Sequence, residues 1–201
     1  QARSDPNSVE IAGASDLVHE YSGYTSGKWR YTAWQFVPST FTGESYLIMM
    51  NTYNDAGTTL SWSVQVNFRA SSNQVVNEGI SGGSVPLVRN QWVPIRLDID
   101  LDLNTCTFYY NGTQLYAGSW TGEVTAGGAL NIAAVDLFAN NSSAVYYDDM
   151  SLTRGDWCGE GFDGYATDSS LHGQGGWKGW GNNAGATAYV RDEQARSAPN
   201  S

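Results

Sequence analysis

Carboxylates and aromatic rings are the side chains of this sequence with the most chemistry to offer. Two carboxylates about 5 to 5.5 Å apart can act as nucleophile and acid/base on a glycosidic bond. LDIDLDL places Asp98, Asp100 and Asp102 at alternate positions, hence on one face of a strand, and leaves Leu97, Ile99, Leu101 and Leu103 for the core face. No Glu accompanies the three, so they read as a solvated strand face that resists edge pairing. A calcium loop fails at its sixth position, which must be Gly and is Leu103 here. His19 and His172 are the only imidazoles, neither sits in a nucleophile motif, and G-x-S-x-G and H-E-x-x-H do not occur. No catalytic residue is therefore assigned.

Rings make the stronger case, because the apolar faces of sugars stack on Trp and Tyr while adjacent Asn, Asp and Gln take the hydroxyls. Trp177 and Trp180 in GGWKGW, Tyr53 and Asn54 in NTYNDAG, and Trp120 are the candidates; Trp157 also lies near a loop. Packing or an intersubunit contact is the alternative for Trp177 and Trp180. Trp34, Trp62 and Trp92 are expected in the core.

The elements that must position these residues read as strands. Trp29 to Val37, Ser45 to Tyr53, Leu60 to Phe68, Trp92 to Leu101, Thr105 to Tyr110, Gln114 to Trp120, Leu130 to Ala139 and Ala144 to Leu152 are rich in β-branched and aromatic residues and bounded by Gly, Asn, Asp or Pro. Trp62, Val64, Val66 and Phe68 alternate with polar residues, so one face packs and the other meets water. Asn111-Gly112 marks a tight hairpin. No segment shows a sustained helical period, and the whole predicts an all-β sandwich of two sheets or a jelly roll.

Composition narrows the partners. A net charge of −10 repels nucleic acid and anionic lipid surfaces, and no apolar run reaches the roughly 18 residues of a membrane span. Few Lys beside abundant Gly, Ser, Thr, Asn and aromatics suits a secreted β-protein. Cys106 and Cys158 could bond in an oxidising compartment or stay as free buried thiols. The sequons at Asn111, Asn140 and Asn141 are too common by chance to carry weight.

QARSDPNS at residues 1–8 returns as QARSAPNS at 194–201, the mark of a tandem repeat. RGDWCGEG, from Arg154 to Gly161, interrupts the strand pattern. The organisation expected is a body at 1–154, a linker at 155–160, and at 161–201 the first strands of a repeat unit, since the body lacks its own.

FDGY with GQGGWKGW, SGKWRYTAWQFVP, FTGESYLIMMNTYNDAG, WSVQVNF, IRLDIDLDLNTCTFYYNG and AVDLFANNSSAVYYDDMSL together resemble LamG-like, concanavalin A-like jelly-roll repeat modules of large secreted or surface bacterial proteins, in permuted order. The resemblance covers nearly the whole chain. It implies a jelly-roll sandwich of two antiparallel sheets, and it implies a structural calcium between first and last strands. Asp148 and Asp149, with Asp163, would be its ligands, one carboxylate of the pair pointing inward; capping by backbone amides or an Arg is the alternative. In that fold the first and last strands are neighbours, so residues 161–201 would complete their own body or that of a neighbouring subunit, with Phe162, Tyr165, Tyr189 and Val190 as assembly residues.

The expected role is a non-catalytic, extracellular or cell-surface structural or adhesive unit, assembling head-to-tail with copies of itself or adjacent repeats. A carbohydrate-binding module contacting extracellular glycans is the alternative, and a glycosidase or polysaccharide lyase the third.

Overall fold

The structure is a computed structural model that describes residues 2–155, 166–174, 178, 182–186 and 188–191. The chain divides into two compact units, residues 1–155 and 156–201.

In the first unit β1 (Val9–Gly13), β2 (Asp16–Glu20), β3 (Lys28–Phe36), β4 (Glu44–Thr52), β5 (Ser61–Arg69), β6 (Gln74–Asn77), β7 (Ser84–Pro86), β8 (Trp92–Asp100), β9 (Thr105–Tyr110), β10 (Thr113–Ser119), β11 (Ala134–Asn140) and β12 (Ser142–Arg154) form two antiparallel six-stranded sheets. One runs β1-β12-β3-β8-β9-β10 and the other β2-β11-β4-β5-β6-β7. Strict alternation builds the core between them. Val93, Ile95, Leu97 and Ile99 of β8 point in, as do Tyr31, Ala33 and Val37 of the β3 region and Leu47 and Met49 of β4. Within this core the buried Gln35 amide nitrogen donates to Tyr147 Oη at 2.7 Å. The Asn111-Gly112 turn adopts φ of 48° and 78°, the left-handed conformation that a tight β9–β10 hairpin demands.

Four expectations need correction. Residues 1–154 do not lack their first strands: β1 pairs with β12 and β2 with β11, filling the edge beside both. These strands are short and charged, as edge strands are, and so carry little hydrophobic signal. Trp34, Trp62 and Trp92 are not core residues; Tyr31, Ala33 and Val93 take the inward parity and send Trp34 and Trp92 to the outer face. Leu103 is 71% exposed because the strand ends at Asp100 and Leu103 lies in the turn, its N–H donating to Asp100 Oδ1. The strand expected from Leu130 begins at Ala134, and a loop precedes it.

In the second unit, the described residues show one antiparallel bridge between Ser170 and Tyr189, with Val190 N donating to Ser169 O at 3.0 Å and Asp168 N to Val190 O at 2.9 Å. Arg191 forms an ion pair with Asp168. A short 3₁₀ turn spans Ala184–Ala186. Val190 is buried and Tyr189 exposed; Phe162 and Tyr165 lie outside the described residues.

Candidate functional site

The outer face of the β2-β11-β4-β5 sheet carries a second apolar cluster, separate from the core. Ile48, Met50 and Ala134 are its buried centre, with Val18, Tyr46, Tyr53, Leu60, Trp62 and Phe138 packed around it. Trp62 reaches this face through a register shift. Met49 pairs with Val64 but Met50 with Trp62, so Ser63 is an extra residue in β5, and Thr52 then pairs with Ser61, so Asn51 is an extra residue in β4. One extra residue reverses the side on which the following side chain lies. Val64, Val66 and Phe68 therefore enter the core while Trp62 turns outward. The two bulged residues are fully buried, and Asn51 Nδ2 donates to Ser63 Oγ at 3.0 Å. Asn51 Oδ1 also accepts Ala129 N, which ties the loop before β11 to the same place.

Trp62, Tyr53, Met50, Leu60 and Val18 line a cavity of about 360 Å³, together with Asp16 and Asp136. The Asn54 carboxamide, next to Tyr53 in sequence, does not line the cavity: its oxygen accepts Thr58 N and Thr59 N, and its nitrogen donates to Thr58 Oγ1. Asn54 is thus engaged by its own loop. One wall is anchored by Thr125 N donating to Trp62 O at 3.0 Å.

Asp136 is the unusual group of the site. It is 7% exposed, its Oδ1 has no hydrogen-bond partner, and it stands diagonally from Asp16 across β11 and β2. Burial first, then the charge of Asp16 and a hydrogen bond with it, push the Asp136 carboxyl up to about 7. Tyr53 is raised as well, by desolvation and then by Asp55, which accepts its hydroxyl, and by the charges of Glu20 and Asp136.

The other sequence candidates fall elsewhere. Trp120 is fully buried and its Nε1 donates to Asn131 O at 2.8 Å, so it is a core side chain and no sugar platform. Its position closing β10, where the chain turns under the sandwich, puts the ring inside. Trp177, Trp180 and Trp157 lie outside the described residues. Asp98 pairs with Arg30 and Arg96, Asp100 with Lys28, and Asp102 accepts Gly27 N, which is a solvated face held by ion pairs. Cys106 is a buried free thiol, pushed up to about 12 by burial; Cys158 lies outside the described residues.

Asp148 and Asp149 meet the repeated word of the sequence. A register shift between Asp148 and Ser151 and a φ of 47° at Asp149 form a bulge in β12, and it turns both carboxylates outward; the expectation that one points inward is not met. Arg3 N and Ser4 N donate to Asp148 Oδ2 at 2.8 and 3.1 Å, Ser4 Oγ donates to Asp149 Oδ1 at 2.6 Å, and Arg3 pairs with Asp149. The guanidinium lies over Trp34, 3.7 Å from the ring centre. The Ser4 amide foremost holds the Asp148 carboxyl below its ordinary value. A calcium ion does not fit here: the carboxylates are met by the chain's own cation and by amide and hydroxyl donors. Among the described residues no group of His, Cys, Asp and Glu is placed to hold a metal ion, and Asp163 lies outside them.

No family model and no curated relative matches the chain. Among solved structures, a sialidase aligns over 74% of this chain and 15% of its own, with a TM-score of 0.54 and 4% identity. The A. japonicus CB05 structure aligns over 74% of this chain and 25% of its own, at 0.51 and 13% identity. The fold is a concanavalin A-like jelly roll. The Caenorhabditis elegans galectin LEC-6 aligns over 72% of this chain and 95% of its own, with a TM-score of 0.49 and 11% identity. Identities this low speak to fold alone, since this jelly roll hosts lectins, hydrolases, lyases and spacers. The sites on it decide function.

Sequence reasoning missed Asp16 and Asp136 and misplaced Trp62. The alternation of Val135, Leu137 and Ala139 with Asp136 was the available signal for the second carboxylate; nothing in the sequence marked the bulge.

Proposed function

We propose that the jelly roll is a carbohydrate-binding module whose site is the Trp62–Tyr53 groove. The observation that carries this reading is the pair of rings on an outer sheet face, one turned there by a buried polar bulge, beside two carboxyls that can take sugar hydroxyls. A soluble core gains nothing from that arrangement. A lyase would want a cation beside its Tyr, and the groups that perturb Tyr53 are all acidic. Calorimetry of oligosaccharide panels against the full chain and Trp62→Ala tests the reading. Binding that Trp62→Ala abolishes supports it; binding unaffected by that change removes the groove from the account.

A structural or adhesive role, as in the LamG-like surface repeats the sequence resembles, is the second reading, and the Arg3–Ser4 contact favours it. Arg3 and Ser4, which contact Asp148, Asp149 and Trp34, recur as Arg196 and Ser197. Asp5, the one residue by which the words differ, is replaced by the neutral Ala198, which brings no extra negative charge toward two carboxylates. A word from another copy could therefore take this place and link chains head to tail, giving filaments unless the ring closes. Light scattering of the full chain against Arg196→Ala decides: assemblies lost in the variant support linking, and a monomer in both cases refutes it. Either role suits an extracellular or cell-surface setting, and among the described residues no helix is long and apolar enough to cross a membrane.

A further inference from the structure

The groups that face the groove are acidic or phenolic. Asp16 and Asp136 line it, and Tyr53 feels the charges of Asp55, Glu20 and Asp136. No Lys, Arg or His is among the lining residues. Five cations of this unit are engaged elsewhere: Arg30, Arg96 and Lys28 on the opposite sheet, Arg69 with Glu44 and Glu78, Arg89 on the carbonyls of Pro38, Ser39 and Phe41. Asp136, more than nine-tenths buried, adds an acceptor oxygen without a partner.

Resting on the carbohydrate-binding reading above, we propose that the groove selects sugars bearing a protonated amine, glucosamine-type units with an unacylated nitrogen, over neutral and acidic sugars. An ammonium answers both unusual features at once. It donates to the unpartnered Asp136 oxygen and offsets the charge of Asp16, while the sugar's apolar face and the adjacent cation meet the faces of Trp62 and Tyr53. An N-acetyl group removes that charge. A uronate carboxylate would bring a second negative charge beside Asp16. A bare metal ion is a poorer match, since these carboxyls are not gathered into a coordinating set.

Calorimetry of the full chain at about pH 6, where amino sugars are protonated, would compare a β-1,4-linked glucosamine pentamer with cellopentaose, its N-acetylated form, a glucuronate pentamer and spermidine. The expected result is binding of the glucosamine pentamer roughly tenfold tighter than cellopentaose, weakened by salt, with no heat from the glucuronate. Asp16→Asn, which removes the charge that the ammonium offsets, is expected to bring the glucosamine pentamer down toward the affinity of cellopentaose. Equal affinity for cellopentaose or for the N-acetylated pentamer overturns the charge selection and leaves the sugar site standing. Spermidine binding as tightly as the glucosamine pentamer overturns it too, since charge without sugar would then suffice. Silence from every sugar overturns the carbohydrate reading itself.

Discussion

Replacing Asp136 by Asn should make the protein more stable at neutral pH. The native carboxyl sits at about 7 against an ordinary value of 3.8. A shift of about 3 units corresponds to about 4 kcal/mol between the protonation states. Asp136 is 7% exposed but stands at an open groove, and screening by that water brings the figure to about 2 kcal/mol. The sign follows from proton counting. Between pH 3.8 and about 7 the native state holds a proton that the unfolded chain has released, so stability falls as pH rises through that window. Asn cannot ionise, yet its amide can still donate to Asp16. Asp136→Asn should therefore match the parent near pH 4 and melt roughly 4 to 8 °C higher near pH 8. Calorimetric melts at pH 4, 6 and 8 check this. A variant no more stable than the parent at pH 8, or a gap independent of pH, would refute the reasoning.

Other perturbations separate site from scaffold. Trp120→Ala removes a fully buried ring and should cost about 3 to 5 kcal/mol, read from denaturant unfolding. Trp62→Ala, on an outer face, should cost far less in the same assay while abolishing sugar binding. In Gly118→Ala the new Cβ would overlap Glu123 Oε2, a buried carboxylate already held by Asn77 and Ser81; a loss of about 1 to 3 kcal/mol is expected. Asp148→Asn should free the Arg3–Ser4 segment. Since the carboxyl is lowered by the Ser4 amide, the parent keeps this contact above pH 3.8 and loses it as pH falls through the lower native value, which the fluorescence of Trp34 under the Arg3 guanidinium reports.

Eight strands were legible because each paired a run of β-branched or aromatic residues with turn residues at its ends, and the two-sheet sandwich followed. β1, β2 and β7 were not, because Asp16–Glu20 and its like are edge strands whose pattern serves to avoid pairing rather than to bury surface, and β6, an inner strand, spans only the four residues Gln74–Asn77. The groove was half legible. Tyr53 was found from its aromatic type beside polar residues, but Asn54 turned out to hold its own loop. Trp62 was read as core because alternation with Val64 is the stronger local signal, and only pairing with β4 reveals the extra residue at Ser63. Trp120 was misread in the opposite direction: a ring at a strand end resembles a platform until the turn beneath it is known. Asp136 was invisible because its partner, Asp16, is distant in sequence. The capping of Asp148 and Asp149 by an Arg and backbone amides was an open alternative, yet its source in the repeated word could only be seen once the chain was folded.

The Asn51–Ser63 bulge gives the binding face an unusual kind of control. Most surfaces change by exchanging one residue for another, whereas here the outward ring depends on which residue of β5 stands opposite Met50. A regular ladder, with Ser63 rather than Trp62 opposite Met50, would leave every groove residue in the sequence and still carry Trp62 to the inner side of the sheet. Loss of the bulge alone would therefore erase the apolar outer face without changing any of its residues.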